Sequence, residues 1–203
     1  MKKFLNIIVL ISIVCNSQNK KKEIFVNENF IEISKKEFQE KINNKYYYFY
    51  KIENDSLVAY VKVPTEKFGK ITQSNYQTVI QSLSNYSNKK IDSTKTIIIN
   101  YFPSKDDCLG DRNWDWYFKK STKKFLKEVS KKKDLLQFFI FKDESSVKNF
   151  GKHFSYYLDV ENTIEKEFFK YHYPCFSYVV LKPNKTYYTK RGEYNINEVL
   201  EKL

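Results

Sequence analysis

Tyr171-His-Tyr-Pro-Cys-Phe-Ser-Tyr-Val-Val-Leu-Lys-Pro-Asn-Lys-Thr-Tyr-Tyr-Thr-Lys-Arg-Gly192 is the stretch on which the fold turns. Pro174 leads into an apolar run over 175–182 of buried-strand character. Pro183-Asn184-Lys185 has turn chemistry, 186–191 reads as a second strand, and Gly192 closes the pair. The short turn between Lys182 and Thr186 predicts an antiparallel hairpin.

Upstream, Thr96-Ile-Ile-Ile-Asn-Tyr-Phe102 is a continuous apolar strand halted by Pro103, and Leu135–Phe141 is a second buried strand. Between them, Trp114, Phe118, Phe125 and Val129 share one face of a helix over 113–130, with lysines on the other. Asp143 caps a short helical piece carrying Val147 and Phe150. Asn162 with Glu165 opens another helix, with Ile164 and Phe168 turned inward. A final helix runs to Leu200 and Leu203. The order β-α-β-α-β-β-α predicts an α/β fold: parallel neighbours from the strand–helix–strand connections, one antiparallel hairpin, and helices on both faces of a mixed sheet.

The part before this is an N-terminal α+β extension over 18–90, separated from the domain at 94–203 by the polar run Asn85–Lys95. Residues 18–26 are polar and read as a flexible start. Phe30–Ile33 is expected as a short strand. Ser34 with Glu37 forms a capping box, with Phe38 and Ile42 as the apolar stripe. Tyr46–Lys51 and Leu57–Val63 are strands joined by the turn residues 53–56, and Pro64 ends the second. Tyr76, Val79, Ile80 and Leu83 place a helix over 74–86. The cluster Tyr46 to Tyr50 reads as a half-buried strand rather than a stacking surface for a ligand.

Residues 1–17 have the pattern of an export signal: Lys2 and Lys3, then a twelve-residue apolar stretch from Phe4 to Cys15, short for a membrane span. Cleavage before Gln18 is favoured over lipid attachment at Cys15, because Ser12-Ile13-Val14 is a poor lipobox. The expected location is therefore exported, periplasmic or extracellular. No second apolar run reaches membrane-spanning length. Of three cysteines, Cys108 and Cys175 remain after the leader. With His153 and His172 they give no zinc spacing, so no metal and no cofactor is expected. The formal charge is +12. It is almost all lysine, with Arg112 and Arg191 the only arginines, which argues against nucleic acid as a partner. No phosphate loop, Ser/His/Asp set or carboxylate pair stands out.

Residues 94–203 resemble the TlpA/ResA-like thiol-disulfide oxidoreductases of the thioredoxin-like superfamily. The resemblance rests on Ile97–Phe102, Phe141–Phe150, the segments Tyr157–Val160 and Phe168–Pro174, and Val179–Lys185 with Arg191-Gly192, in that order. It implies a thioredoxin-like mixed sheet, a cis-proline at Pro174, and Tyr173 facing the active-site position. Tyr173 and Pro174 would then border a groove for an extended peptide or protein partner. The family's Cys-x-x-Cys loop is represented by Cys108-Leu-Gly-Asp111, which lacks the second cysteine. Exchange in which one thiolate attacks and its neighbour resolves cannot run through this loop.

Three readings of the cysteines stand. Cys108 is a lone reactive thiol, although Asp106, Asp107 and Asp111 raise its pKa and weaken it as a nucleophile. Cys108 pairs with Cys175, as a redox pair or as a staple. Or neither does chemistry, and Cys175 is a small buried residue in a binding module. The expectation is a divergent thioredoxin-like envelope protein, leaning towards a binding or scaffolding module rather than an enzyme. The alternative is an atypical oxidoreductase using Cys108 with Cys175.

Overall fold

The computed structural model describes residues 21–40, 45–104, 114–145, 147 and 154–203, of which 114–118 by their backbone alone. These residues fall into two compact units, 21–40 with Phe49–Val63, and 45–48 with Pro64–Leu203.

The first unit is built on a three-stranded sheet in the order β1-β3-β2. The strands are β1 (Lys22–Asn27), β2 (Tyr47–Glu53) and β3 (Leu57–Pro64), with a short helix α1 (Lys35–Gln39). β1 and β3 run parallel. Val26, Val61 and Val63 are buried, and Phe38 of α1 packs on Phe25 and Phe49 with ring centroids 4.9 and 5.1 Å apart. The capping residue is as expected: Ser34 Oγ accepts the Glu37 N–H at 3.1 Å. Lys62 closes the other end, its Nζ donating to the carbonyls of Glu37 and Glu40 at 2.6 and 2.7 Å. The first strand differs from expectation. It lies at 22–27, inside the segment read as a flexible start. Phe30 and Ile31 are 60 and 61 % exposed, and Glu32 makes only an isolated bridge to Val26. Ile24-Phe25-Val26 is an apolar, β-favouring triplet that pairs in parallel with β3, a signal hidden behind the charged residues that precede it.

The second unit is an α/β structure on a six-stranded mixed sheet in the order β4-β9-β8-β5-β6-β7. Its strands are β4 (Glu66–Lys70), β5 (Thr96–Phe102), β6 (Leu135–Phe141), β7 (Tyr157–Leu158), β8 (Ser177–Leu181) and β9 (Thr186–Lys190). Helices α2 (Gln73–Ser87), α3 (Trp114–Ser130) and α4 (Thr163–Phe168) and a C-terminal 3-10 helix (Ile196–Lys202) flank it. β5 and β6 are parallel and β8–β9 is an antiparallel hairpin, as the sequence predicts. The second strand–helix–strand connection does not end on a parallel neighbour: β8 lies antiparallel against β5. Ile98 and Phe102 of β5 share a core with Phe125 and Val129 of α3 and Val199 of the 3-10 helix. Residues of the opposite parity face the other side of the sheet, where Tyr101 stacks on Phe169 at 4.9 Å.

Two boundaries move. The segment read as the extension, 18–90, is divided between the two units: the second takes 45–48 and, from Pro64 onward, β4 and α2. β4 pairs antiparallel with β9, residues more than a hundred positions later. Its sequence, Glu-Lys-Phe-Gly-Lys, has one large apolar residue and a glycine, so no strand signal is visible locally. The cap of α4 also differs. Asn162 sits in the left-handed region (φ 54) and makes no side-chain cap. Asp159 does the work from four positions earlier than Thr163: its carboxylate accepts the N–H groups of Ile164 and Glu165 at 3.2 and 2.9 Å and the Tyr86 hydroxyl at 2.9 Å. Asp143, as expected, accepts the Ser145 N–H at 2.9 Å, while Phe150 lies outside the described residues.

Asp159 is 1 % exposed and holds three donors, so its removal leaves buried donors unmet. Asp159→Ala is expected to lower stability by about 2–4 kcal/mol, with Asp159→Asn intermediate. Chemical denaturation followed by far-UV circular dichroism measures this.

Candidate functional site

The segment between α4 and β8 contains the residues singled out from the sequence. Phe168 and Phe169 end α4 in the core, and the chain then runs without regular structure to Ser177. Tyr173 is 2 % exposed. Its ring lies 5.7 Å from that of Tyr48, 6.4 Å from those of Phe169 and Tyr171, and the Arg191 guanidinium sits 5.5 Å over it. Tyr173 is therefore held inside an aromatic and cationic cluster rather than displayed on a groove wall. Pro174 is exposed at the crest of the segment.

No peptide bond among the described residues is cis, so the Tyr173–Pro174 bond is trans and the cis expectation is corrected. The trans form is the intrinsically favoured one. The change of chain direction is made one residue later instead, where Cys175 adopts φ 66. A non-glycine residue in the left-handed region costs about 1–2 kcal/mol, so the surroundings must hold it there. Cys175 is 3 % exposed, belongs to the core that includes Phe102 and Phe176, and is disulfide-bonded. The chain's other cysteines, Cys15 and Cys108, lie outside the described residues, as does the loop 105–113.

The hairpin closes as its sequence suggests. Asn184 Oδ1 accepts the N–H and hydroxyl of Thr186 at 3.0 and 2.6 Å, with Lys185 at φ 71. Gly192, at φ 78, donates its N–H to Ser177 Oγ at 3.0 Å. A β-carbon there would fall 1.8 Å from the Tyr48 hydroxyl, which itself donates to the Arg191 carbonyl at 3.3 Å. Glycine is required twice over, for backbone conformation and for space. The tyrosine run thus reaches the candidate site through Tyr48, a connection invisible to strand alternation alone.

The carboxyl end of β5 is tied down by charge. The Ser104 hydroxyl donates to Asp143, and Lys142 pairs with Glu165 at 2.5 Å. Close to them lies the Tyr101 hydroxyl, buried with no hydrogen-bond partner among the described residues. Burial, and then the nearby Glu165, Asp159 and Asp143 charges, push its pKa far above the ordinary tyrosine value. Tyr178, Tyr188 and Tyr194 are likewise raised, chiefly by burial. Unlike that of Tyr101, the Tyr194 hydroxyl is satisfied: it donates to Asn100 Oδ1 at 2.5 Å.

Two clefts open elsewhere on this unit. One, of about 350 Å³, lies along α2 and α4, with Val79 at its apolar side and Asn75, Thr78, Glu161, Lys166 and Glu167 among its polar and charged lining. The other, of about 280 Å³, is lined by Phe68, Val180, Tyr188, Lys182 and Lys202 among others. Neither is lined by Cys175 or Pro174. Among the described residues no group of three or more His, Cys, Asp or Glu side chains is placed to hold a metal, and no helix is long and apolar enough to cross a membrane. Comparison with protein-family models, curated proteins and solved structures gives no match.

The two buried tyrosines make opposite predictions. Tyr101→Phe removes an unsatisfied hydroxyl and is expected to raise stability by about 1 kcal/mol. Tyr194→Phe orphans Asn100 Oδ1 and is expected to lower stability by about 1–3 kcal/mol. The raised tyrosine pKa values also fix the alkaline behaviour. An unfolded tyrosine ionises near pH 10 while the folded one stays neutral. Their contribution is intact below about pH 10 and is lost as pH rises beyond it. Thermal melts at pH 8–11 should show that decline, shallower in Tyr101→Phe.

Proposed function

We propose that this chain is an exported, divergent thioredoxin-like protein of the cell envelope that works as a binding or scaffolding module without standard dithiol-disulfide exchange. The observation that carries the reading is the state of Cys175: buried, disulfide-bonded and turned into the core behind an exposed Pro174. A sulfur so placed is a staple rather than an attacking thiolate. Cys108-Leu-Gly-Asp111 supports the same reading, since it has no neighbouring cysteine to resolve a mixed disulfide.

The thioredoxin-like assignment is supported by strand order. β6-β5-β8-β9 is second-first-third-fourth in chain order, with the third strand antiparallel to the first. We assign the partner of Cys175 to Cys108, because Cys15 lies in the expected leader. The partner-facing surface is assigned to the exposed crest at Pro174, with Tyr173 as its buried support.

An atypical thiol-disulfide oxidoreductase using the same two cysteines is the second reading, favoured by the disulfide itself. The two differ in reduction potential. A structural bridge resists reduction, with a potential below about −300 mV, whereas a working redox pair lies higher. The native protein is equilibrated in glutathione and dithiothreitol buffers, alkylated, digested and weighed. A Cys108–Cys175 peptide that persists in glutathione supports the scaffolding module. A pair that titrates with glutathione supports the oxidoreductase. Free, alkylated Cys108 in the untreated protein would sink the oxidoreductase and the assigned Cys108–Cys175 bridge. As a staple, the bridge should be worth about 2–5 kcal/mol, which Cys175→Ala would lose in denaturant titration.

A further inference from the structure

Strand β4, Glu66-Lys-Phe-Gly-Lys70, ends the six-stranded sheet, and among the described residues β9 is the only strand it pairs with. The parity of its backbone is fixed by two bonds. The Thr65 carbonyl accepts the Arg191 N–H at 2.8 Å, and the Ile71 N–H donates to the Lys185 carbonyl at 3.0 Å. Residues 65, 67, 69 and 71 therefore turn their backbone groups toward β9, and those of Glu66, Phe68 and Lys70 point out of the sheet edge.

The same three side chains share one face of the strand. Glu66 receives Lys190 Nζ at 2.9 Å, Lys70 is exposed, and Phe68 leans on Tyr188 with centroids 4.7 Å apart yet remains 74 % exposed. An exposed phenylalanine on an open edge strand invites pairing unless charge forbids it.

We propose that a second copy of this chain pairs antiparallel with β4, edge to edge, about a two-fold axis through Phe68. In that register Phe68 faces its own counterpart, Glu66 of each copy faces Lys70 of the other, and Lys67 falls opposite Gly69. All three outward-facing positions become hydrogen-bonded pairs, each exchanging two backbone bonds. The contact is isologous, so it closes at the dimer. Register shifts are penalised by the sequence. Sliding by two residues sets Phe68 against a charge, and sliding by four sets Lys70 against Lys70 or Glu66 against Glu66. Edge lysines ordinarily block pairing; here one meets a glutamate and the other a residue without a side chain, so they select the register. An acidic peptide would complement the lysines but set a like charge against Glu66, which is why the second copy is the better occupant.

A five-residue strand buries far less than a standard interface, so the dimer is weak. Sedimentation equilibrium on the full chain from about 10 µM to about 1 mM should show the average mass rising toward twice the monomer. Lys70→Glu, which leaves the Glu66–Lys190 pair in place, should weaken association about tenfold, and Glu66→Lys alone should do likewise. An equimolar mixture of E66K and K70E should recover it, because every facing pair again joins opposite charges. A wild-type chain that stays monomeric to about 1 mM overturns the proposal. So does association indifferent to K70E, a mixture that fails to recover although both variants keep the wild-type circular dichroism, or an acidic peptide that binds a chain showing no self-association.

Discussion

The second unit depends on strand β5 being bonded along both edges and covered on both faces at once. Ile97, Ile98 and Ile99 are fully buried, and the strand is bonded to β6 on one edge and to β8 on the other. A strand covered on both faces gains apolar burial from every residue, about 2 kcal/mol for each isoleucine. In return, its polar groups must be paired internally. Asn100 is where that requirement is hardest to meet, and Tyr194 supplies the hydroxyl that meets Oδ1. The C-terminal segment is thus bound into the centre of the sheet by chemistry as well as by packing.

Around that strand the chain changes direction at residues in the left-handed region: Asn162 before α4, Cys175 before β8, Lys185 in the hairpin and Gly192 after β9. Only the last is a glycine. At Asn162 and Lys185 the conformation serves a turn or a helix entry, where such residues are tolerated. Cys175 is the costly one, a side chain that is both buried and covalently held. The strain there and the disulfide belong to the same structural choice: a trans proline followed by a reversed residue.

Periodicity made much of this legible. The apolar runs of β5, β6 and β8, the three-four spacing of α2 and α3, and the Pro-Asn-Lys turn each carry their own signal, and each element lies within a residue or two of its expected place. What escaped was decided at a distance. β4 is a polar segment made into a strand by β9, of which a local window contains no trace, and the Ile24-Phe25-Val26 triplet of β1 is short and preceded by a run of charge. Asp159 outcompeted Asn162 as the cap of α4 because it is buried where its carboxylate reaches two amides. In the candidate site, the interest of Tyr173, Pro174 and Cys175 was readable, but their attitudes were not. Whether the tyrosine points in or out depends on Tyr48, far off in the chain, and on Arg191 at the other end of the hairpin.

The pairing of β4 with β9 sets a temporal order on the molecule. Residues 66–70 leave the ribosome long before 186–190 exist, and β5 likewise waits for β8. Contacts this remote in sequence are slow to form, since the intervening loop must be closed before any bond rewards it. Between the synthesis of β6 and that of β8, then, β5 has one completed edge and one open one, and the sheet cannot close until the chain has been made through Lys190. A nascent chain of this kind stays unfolded for longer than a protein of local contacts and is correspondingly exposed to misassembly through its bare strand edges.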